Sequence, residues 1–82
     1  MIIAKRLKQL RTDNKISQAT LAKAIGVDIS SISYWESETY EPKASYVYKM
    51  AIFFNVSSDY LLGLEDESGR KIYSTKNNTL NR

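Results

Sequence analysis

The chain has 82 residues, enough for one small domain with a modest core, and it contains no cysteine and no histidine. That composition excludes disulfides, thiol nucleophiles, zinc sites of the cysteine and histidine kind, and histidine acid–base catalysis. Lys and Arg number 12 against 9 Asp and Glu, a net charge of +3, which is a mild basic excess suited to a polyanionic partner.

The opening MIIAKRLKQL is too short in apolar residues for a secretion signal, and no stretch approaches the length of a membrane span. A soluble, cytoplasmic protein with no membrane partner is expected. Charge is unevenly placed: Lys5, Arg6, Lys8, Arg11, Lys15 and Lys23 stand early against the single acid Asp13, whereas 24–42 carries Asp28, Glu36, Glu38 and Glu41 with no base. The first helix is therefore the expected electrostatic anchor.

From Ile2 to about Thr12, Ile3, Leu7 and Leu10 recur at i, i+4 and i+7, the spacing of one buried helical stripe. This helix is expected to stop near Asp13 and Asn14, with Asn14 taking the left-handed conformation of a C-terminal cap. Ser17 is placed as the next N-cap, with Ile16 before it as a staple residue and Thr20 where a capping box would carry Glu. Leu21, Ala22 and Ile25 then form a second stripe that ends at Gly26, a residue suited to a left-handed turn.

Asp28 is the next N-cap position, and Ile32 and Trp35 mark the inward face of a third helix over about residues 28–36. Trp35, at helical spacing from Ile32, is read as core rather than as a base-stacking residue. The outward face is Ile29, Ser30, Ser33, Tyr34 and Ser37. Two short helices separated by so few residues make a helix-turn-helix, and in a major groove that outward face reaches base edges.

SETYEPK follows as a loop by composition, and Pro42 suits the first turn of a fourth helix from about Lys43 to Phe54. Its inward residues are Val47, Met50, Ala51 and Phe54, and Asn55 stands at its C-cap. Ser57 caps a short fifth helix with Leu61 and Leu62 inward and Gly63 ending it. Tyr46, Tyr48, Ile52, Phe53 and Tyr60 exceed what one core stripe needs, so part of this surface is expected to mediate self-association. Residues 1–64 thus form the domain, and 65–82 reads as a polar, flexible tail, or as the source of a strand around Lys71 to Ser74 in a dimer.

Taken in register, RLKQLR at Arg6 to Arg11, SQATLA at Ser17 to Ala22, IGVDISSISYWE at Ile25 to Glu36, the single Pro42 and NVSSDYLLG at Asn55 to Gly63 resemble the lambda-repressor/Cro-type, XRE-like helix-turn-helix transcriptional regulators. The resemblance spans Ile3 to Leu64 and implies an all-α bundle of five helices with the third as recognition helix. It implies base contacts from Gln18, Ile29, Ser30, Ser33 and Tyr34, and backbone contacts from Asp28, Ser31 and Lys43; the basic residues Arg6, Lys8 and Lys15, lying beside a helix-turn-helix, and Ser17 are expected to contact the backbone as well. Arg11 and Glu36 match a structural ion pair. Val56, Ser58, Tyr60 and Leu62 match a dimer interface.

The chain departs from those relatives at Lys15, where they carry Gly, so the left-handed turn is expected to move to Asn14. It departs again at Glu38 to Glu41, where they carry Gly and bases, and at Asp28, which sets a negative charge beside the nucleic acid.

The expected function is sequence-specific binding of double-stranded DNA by a homodimer on a near-palindromic site, as a transcriptional regulator and most plainly a repressor. The competing function is a protein-interaction module such as an antitoxin or an antirepressor target, using the acidic loop and the apolar face of helix 4. An enzyme is not expected: there is no glycine-rich phosphate loop, and the carboxylates sit at caps and turns instead of converging. No cofactor, metal site or catalytic residue is assigned.

Overall fold

The computed structural model describes residues 1–72, which form five helices: α1 Ile2–Asp13, α2 Gln18–Ile25, α3 Ile29–Glu36, α4 Ala44–Phe54 and α5 Ser58–Leu62. Each helix places one fully buried side chain at the centre: Leu7, Leu21, Ile32, Met50 and Leu61. Burying a side chain of this size contributes about 1.5 to 3 kcal/mol, so all five helices are held by one shared core. Ile3, Ala22, Ile25, Trp35, Val47 and Ala51 widen it, and Leu10, Ile16, Val27, Tyr46, Phe54 and Val56 pack around its edge.

The helix ends follow from local chemistry. Ser17 Oγ accepts the Thr20 amide at 3.0 Å and Ser57 Oγ accepts the Tyr60 amide at 3.0 Å, each supplying a partner for an otherwise unpaired N–H. Asp28 has the extended backbone of an N-cap, but its carboxylate makes no cap hydrogen bond; its carbonyl takes the Ser31 amide at 3.0 Å. Lys43, not Pro42, is the N-cap of α4, so the proline lies just outside the helix instead of in its first turn. Gly26 (φ 79), Asn55 (φ 57) and Gly63 (φ 87) all end helices in the left-handed conformation.

Two expectations are corrected here. Asn14 keeps a negative φ (−90), and Lys15 takes the left-handed position (φ 57) instead. Backbone bonds from Lys15 N to Thr12 O (3.0 Å) and from Ile16 N to Arg11 O (2.9 Å) fix the reversal at that residue, while the Asn14 side chain donates to Leu10 O at 2.7 Å. Leu62 points outward with 50% of its surface exposed, because α5 is so short that Leu61 alone meets the core.

Residues 65–72, the first part of the expected polar tail, fold back as a turn. Asp66 Oδ1 accepts the amides of Ser68 and Arg70, both at 2.9 Å, and the Ser68 hydroxyl at 2.6 Å, a turn built around one aspartate side chain. The chain then returns, with Glu65 and Lys71 forming an isolated antiparallel bridge and Ile72 N donating to Leu64 O at 3.1 Å. Lys71 Nζ meets Asp59 at 2.7 Å and Glu65 at 2.6 Å, tying the turn to α5. The rest of the expected tail, 73–82, including Ser74 of the expected strand, lies outside the described residues.

Candidate nucleic-acid interface

With Ile32 and Trp35 turned into the core, the opposite side of α3 is left open. Trp35 also packs on Tyr46, ring centroids 5.5 Å apart, and cannot stack elsewhere. Ile29 (51%) and Tyr34 (46%) are well exposed, and Ser30, Ser33 and Ser37 are exposed between them, as 100° per residue requires for that face. Ser31 is half-buried at its edge. An exposed isoleucine near the head of a helix, followed by serines and a tyrosine, offers one methyl-rich contact and several hydroxyls that donate or accept.

Glu36 closes the other end of this face. Its carboxylate receives Arg11 Nε at 2.7 Å and Nη2 at 2.9 Å, and Gln18 Nε2 at 3.0 Å, so α1, α2 and α3 meet at one group. The third Arg11 nitrogen, Nη1, donates to Ile16 O at 2.9 Å. Burial pushes the Glu36 carboxyl up, but the hydrogen bonds from Arg11 and Gln18 and the charges of Arg11 and Lys8 outweigh it and hold it below its ordinary value. Arg11 is raised in turn, chiefly by its hydrogen bond to Glu36. This is the expected structural pair, and it also fixes the half-buried Gln18 at the head of α2, beside the end of α3.

The expected backbone contacts divide. Lys8, Lys15 and Lys43 are exposed, with no ion pair among the described residues. Ser17 is exposed, but its hydroxyl is occupied with Thr20, accepting from the amide and donating to Thr20 Oγ1 at 3.0 Å. Asp28 stands exposed at the head of α3. Arg6 differs from these lysines: it is 8% exposed, its Nη1 donates to Tyr60 O at 2.5 Å and Glu65 O at 2.7 Å, and its guanidinium lies 4.2 Å from the Tyr60 ring centroid. It fastens α1 to α5 and the 65–72 turn.

The four expected interface residues do not share one face. Leu62 and Ser58 border an apolar hollow with Pro42, Ala44 and Val47, which continues to Ile2 at the start of α1. Val56 and Tyr60 line a different hollow with Leu10, Glu65 and Ser68. Tyr46 packs against the core and Tyr60 is half-buried beneath Arg6, and the exposed apolar surface of α4 is Tyr48, Ile52 and Phe53. Among the described residues no cluster of acids could hold a metal ion, and no helix is long and apolar enough to cross a membrane.

Residues 7–61 match the model of a family described as helix-turn-helix. The chain is 37% identical over 67 residues to YobD of Bacillus subtilis, an uncharacterized HTH-type transcriptional regulator, covering 82% of this chain and 60% of that protein. It is 30% identical over 81 residues to the HTH-type transcriptional regulator ImmR of Bacillus subtilis, covering 99% of this chain and 64% of that one. This chain thus spans about three fifths of the length of these curated relatives. Among solved structures it resembles the P22 c2 repressor in complex with a synthetic operator, with a TM-score of 0.70 and 33% identity over 74% of this chain and 92% of that chain.

Proposed function

Since the chain belongs to the helix-turn-helix family, we propose that it binds double-stranded DNA sequence-specifically as a transcriptional regulator, most plainly a repressor, with α3 in the major groove. The observation that carries this reading is the open face of α3, where Ile29, Ser30, Ser33 and Tyr34 are exposed while Ile32 and Trp35 anchor the helix from behind. The similar P22 c2 repressor is bound to an operator, which supports it. No enzymatic step belongs to this reading.

Within it each residue has a chemical role. Ile29 suits a thymine methyl group, and Tyr34 adds van der Waals contact and a hydroxyl bond. Ser30 and Ser33 bond to any base and add little discrimination, and Gln18 borders the same groove edge. Lys8, Lys15 and Lys43 meet phosphates, with Ser17 and Ser31 near the backbone. Asp28, Glu38 and Glu41 oppose that attraction, so affinity per half-site is modest and the salt dependence shallow.

Two copies related by a two-fold axis place their recognition helices about 34 Å apart, on half-sites one helical turn apart. The side of the chain bearing Leu62, Ser58 and Pro42 is the surface proposed for that pairing: an apolar strip at the molecular edge that the core leaves uncovered. A second reading, capture of another protein by the outward face of α4, rests on the exposed Tyr48, Ile52 and Phe53.

Selection of bound duplexes from a random pool, followed by gel shifts on the enriched site, tests both. The expected result is one near-palindromic site bound more tightly than random duplex at physiological salt. A pool that converges on no sequence removes the DNA-reading proposal and leaves the second.

A further inference from the structure

The turn after α3 carries a second tyrosine against the first. Tyr40 is 62% exposed and meets Tyr34 edge to face, ring centroids 5.3 Å apart and planes at 86°. Aromatic rings favour this arrangement because the positive edge of one faces the negative face of the other. The core does not explain it, since Tyr40 takes no part in the buried cluster.

The backbone is shaped to deliver this ring. Glu38 takes a left-handed conformation (φ 68), which costs a residue with a Cβ about 1 to 2 kcal/mol. The reversal lets the amides of Thr39 (2.9 Å) and Tyr40 (3.4 Å) and the hydroxyl of Ser37 (3.2 Å) all donate to the carbonyl of Tyr34. The hydroxyls of Ser37 and Thr39 are themselves joined at 2.8 Å. Tyr34 therefore organises the turn through its carbonyl, and the turn returns an aromatic edge to the Tyr34 ring.

A lone tyrosine on a helix surface hops between staggered rotamers, and choosing one on binding carries an entropic penalty. We propose that Tyr40 is a positioning residue for sequence reading: its ring holds the Tyr34 side chain in the orientation that α3 carries into the groove. The inference rests on the reading of α3 as the recognition helix and adds a residue outside that helix to what sets its specificity. Tyr40 acts through Tyr34 and makes no base contact of its own.

The test uses the full chain on the duplex enriched above, on versions of it with single base pairs changed, and on random duplex. It compares Tyr34→Ala, Tyr40→Ala, Tyr40→Leu, Tyr40→Phe and the double Tyr34→Ala/Tyr40→Ala. Tyr40→Ala and Tyr40→Leu are expected to lose about three- to tenfold on the cognate site, matching an aromatic pair of this kind. Both should flatten preference at the same base pairs as Tyr34→Ala and leave random-duplex binding unchanged. Tyr40→Phe, which keeps the ring edge, restores discrimination, and the double variant binds no worse than Tyr34→Ala alone.

The inference is overturned if the losses in the double variant add, because Tyr40 then contacts DNA independently. It is also overturned if Tyr40→Leu keeps full discrimination, or if cognate and random binding fall together. Cognate binding unaffected by Tyr34→Ala would instead remove the base-reading role of Tyr34, a result separable from a failure at Tyr40 alone.

Discussion

Arg11 and Glu36 are joined by two hydrogen bonds, 2.7 Å from Nε and 2.9 Å from Nη2, one to each carboxylate oxygen, across 25 residues of sequence. The Glu36 side chain is only 5% exposed, so removing its partner strands a nearly dry charge. Arg11→Ala is expected to destabilise the domain by about 3 kcal/mol, which lowers the melting temperature of a chain this size by more than about 10 °C. Arg11→Lys is expected to recover only part of that loss, since an ammonium cannot reproduce the two-pronged geometry. Thermal unfolding followed by circular dichroism measures both.

The same carboxylate predicts how acid acts. Glu36 is held below its ordinary value in the folded chain, so the unfolded chain takes up its proton more readily. Its contribution is therefore complete at neutral pH and disappears as the pH falls from the ordinary carboxylate range through the lowered folded value. Glu65, lowered mainly by its hydrogen bond from Lys71, and Asp66, lowered mainly by that from Ser68, add to the same acid limb. Melting temperatures measured between about pH 3 and pH 7 should show Glu36→Gln with a lower neutral plateau and a shallower acid slope. An acid slope unchanged by that substitution would place the acid sensitivity elsewhere.

Lys15 should separate stability from binding. Its left-handed backbone (φ 57) is the conformation glycine adopts without penalty, and its side chain is exposed beside the proposed groove. Lys15→Gly is expected to raise stability by about 0.5 to 1 kcal/mol, after allowance for the freer unfolded chain, and to weaken DNA binding. Chemical denaturation and a gel shift on the same preparation would detect the opposite signs. Lower stability in the variant would show that the backbone at Lys15 is not strained.

Arg6 and Lys8, two positions apart, should behave differently. Lys8→Ala is expected to weaken cognate and random duplex alike and to lower the salt slope by about one. Arg6→Ala, which removes the bonds to Tyr60 O and Glu65 O, is expected to lower the melting temperature and leave the salt slope unchanged. A reduced salt slope for Arg6→Ala would return that residue to the phosphate-contacting set.

Leu62→Glu tests the proposed pairing surface without touching the core, since the side chain is half exposed and lies beyond the buried Leu61. Sedimentation on DNA should show the variant failing to load as a pair, with the melting temperature of the free chain within a few degrees of the parent. Unaltered paired loading would move the two-fold axis to another face.

What was legible in the sequence is what local chemistry and periodicity determine. Ile32 and Trp35 declare the inward side of α3, and Ser17, Ser57, Gly26, Asn55 and Gly63 mark helix ends, because each choice is made within one or two turns of the residue itself. The buried Arg6 was not legible as structural, since its partners Tyr60 and Glu65 lie 54 and 59 residues away. The 65–72 turn did carry a signal: an aspartate two residues before a serine and three before a glycine is a side-chain-capped turn signature. Lys15 was misread for a different reason. Propensity favours Asn14 for the left-handed position, but the closure of the turn onto Thr12 and Arg11 selects the next residue.

The convergence of Arg11 and Gln18 on Glu36 has a mechanical consequence. Three helices joined at a single carboxylate tie the proposed DNA-reading face together, so in the proposed pairing a change of half-site spacing is expected to be met outside the domain. On that proposal, tolerance of spacing comes from bending of the duplex or from slippage at the joint between two copies. Varying the gap between half-sites by single base pairs would therefore report on the stiffness of those two elements, with the domain itself acting as a fixed ruler.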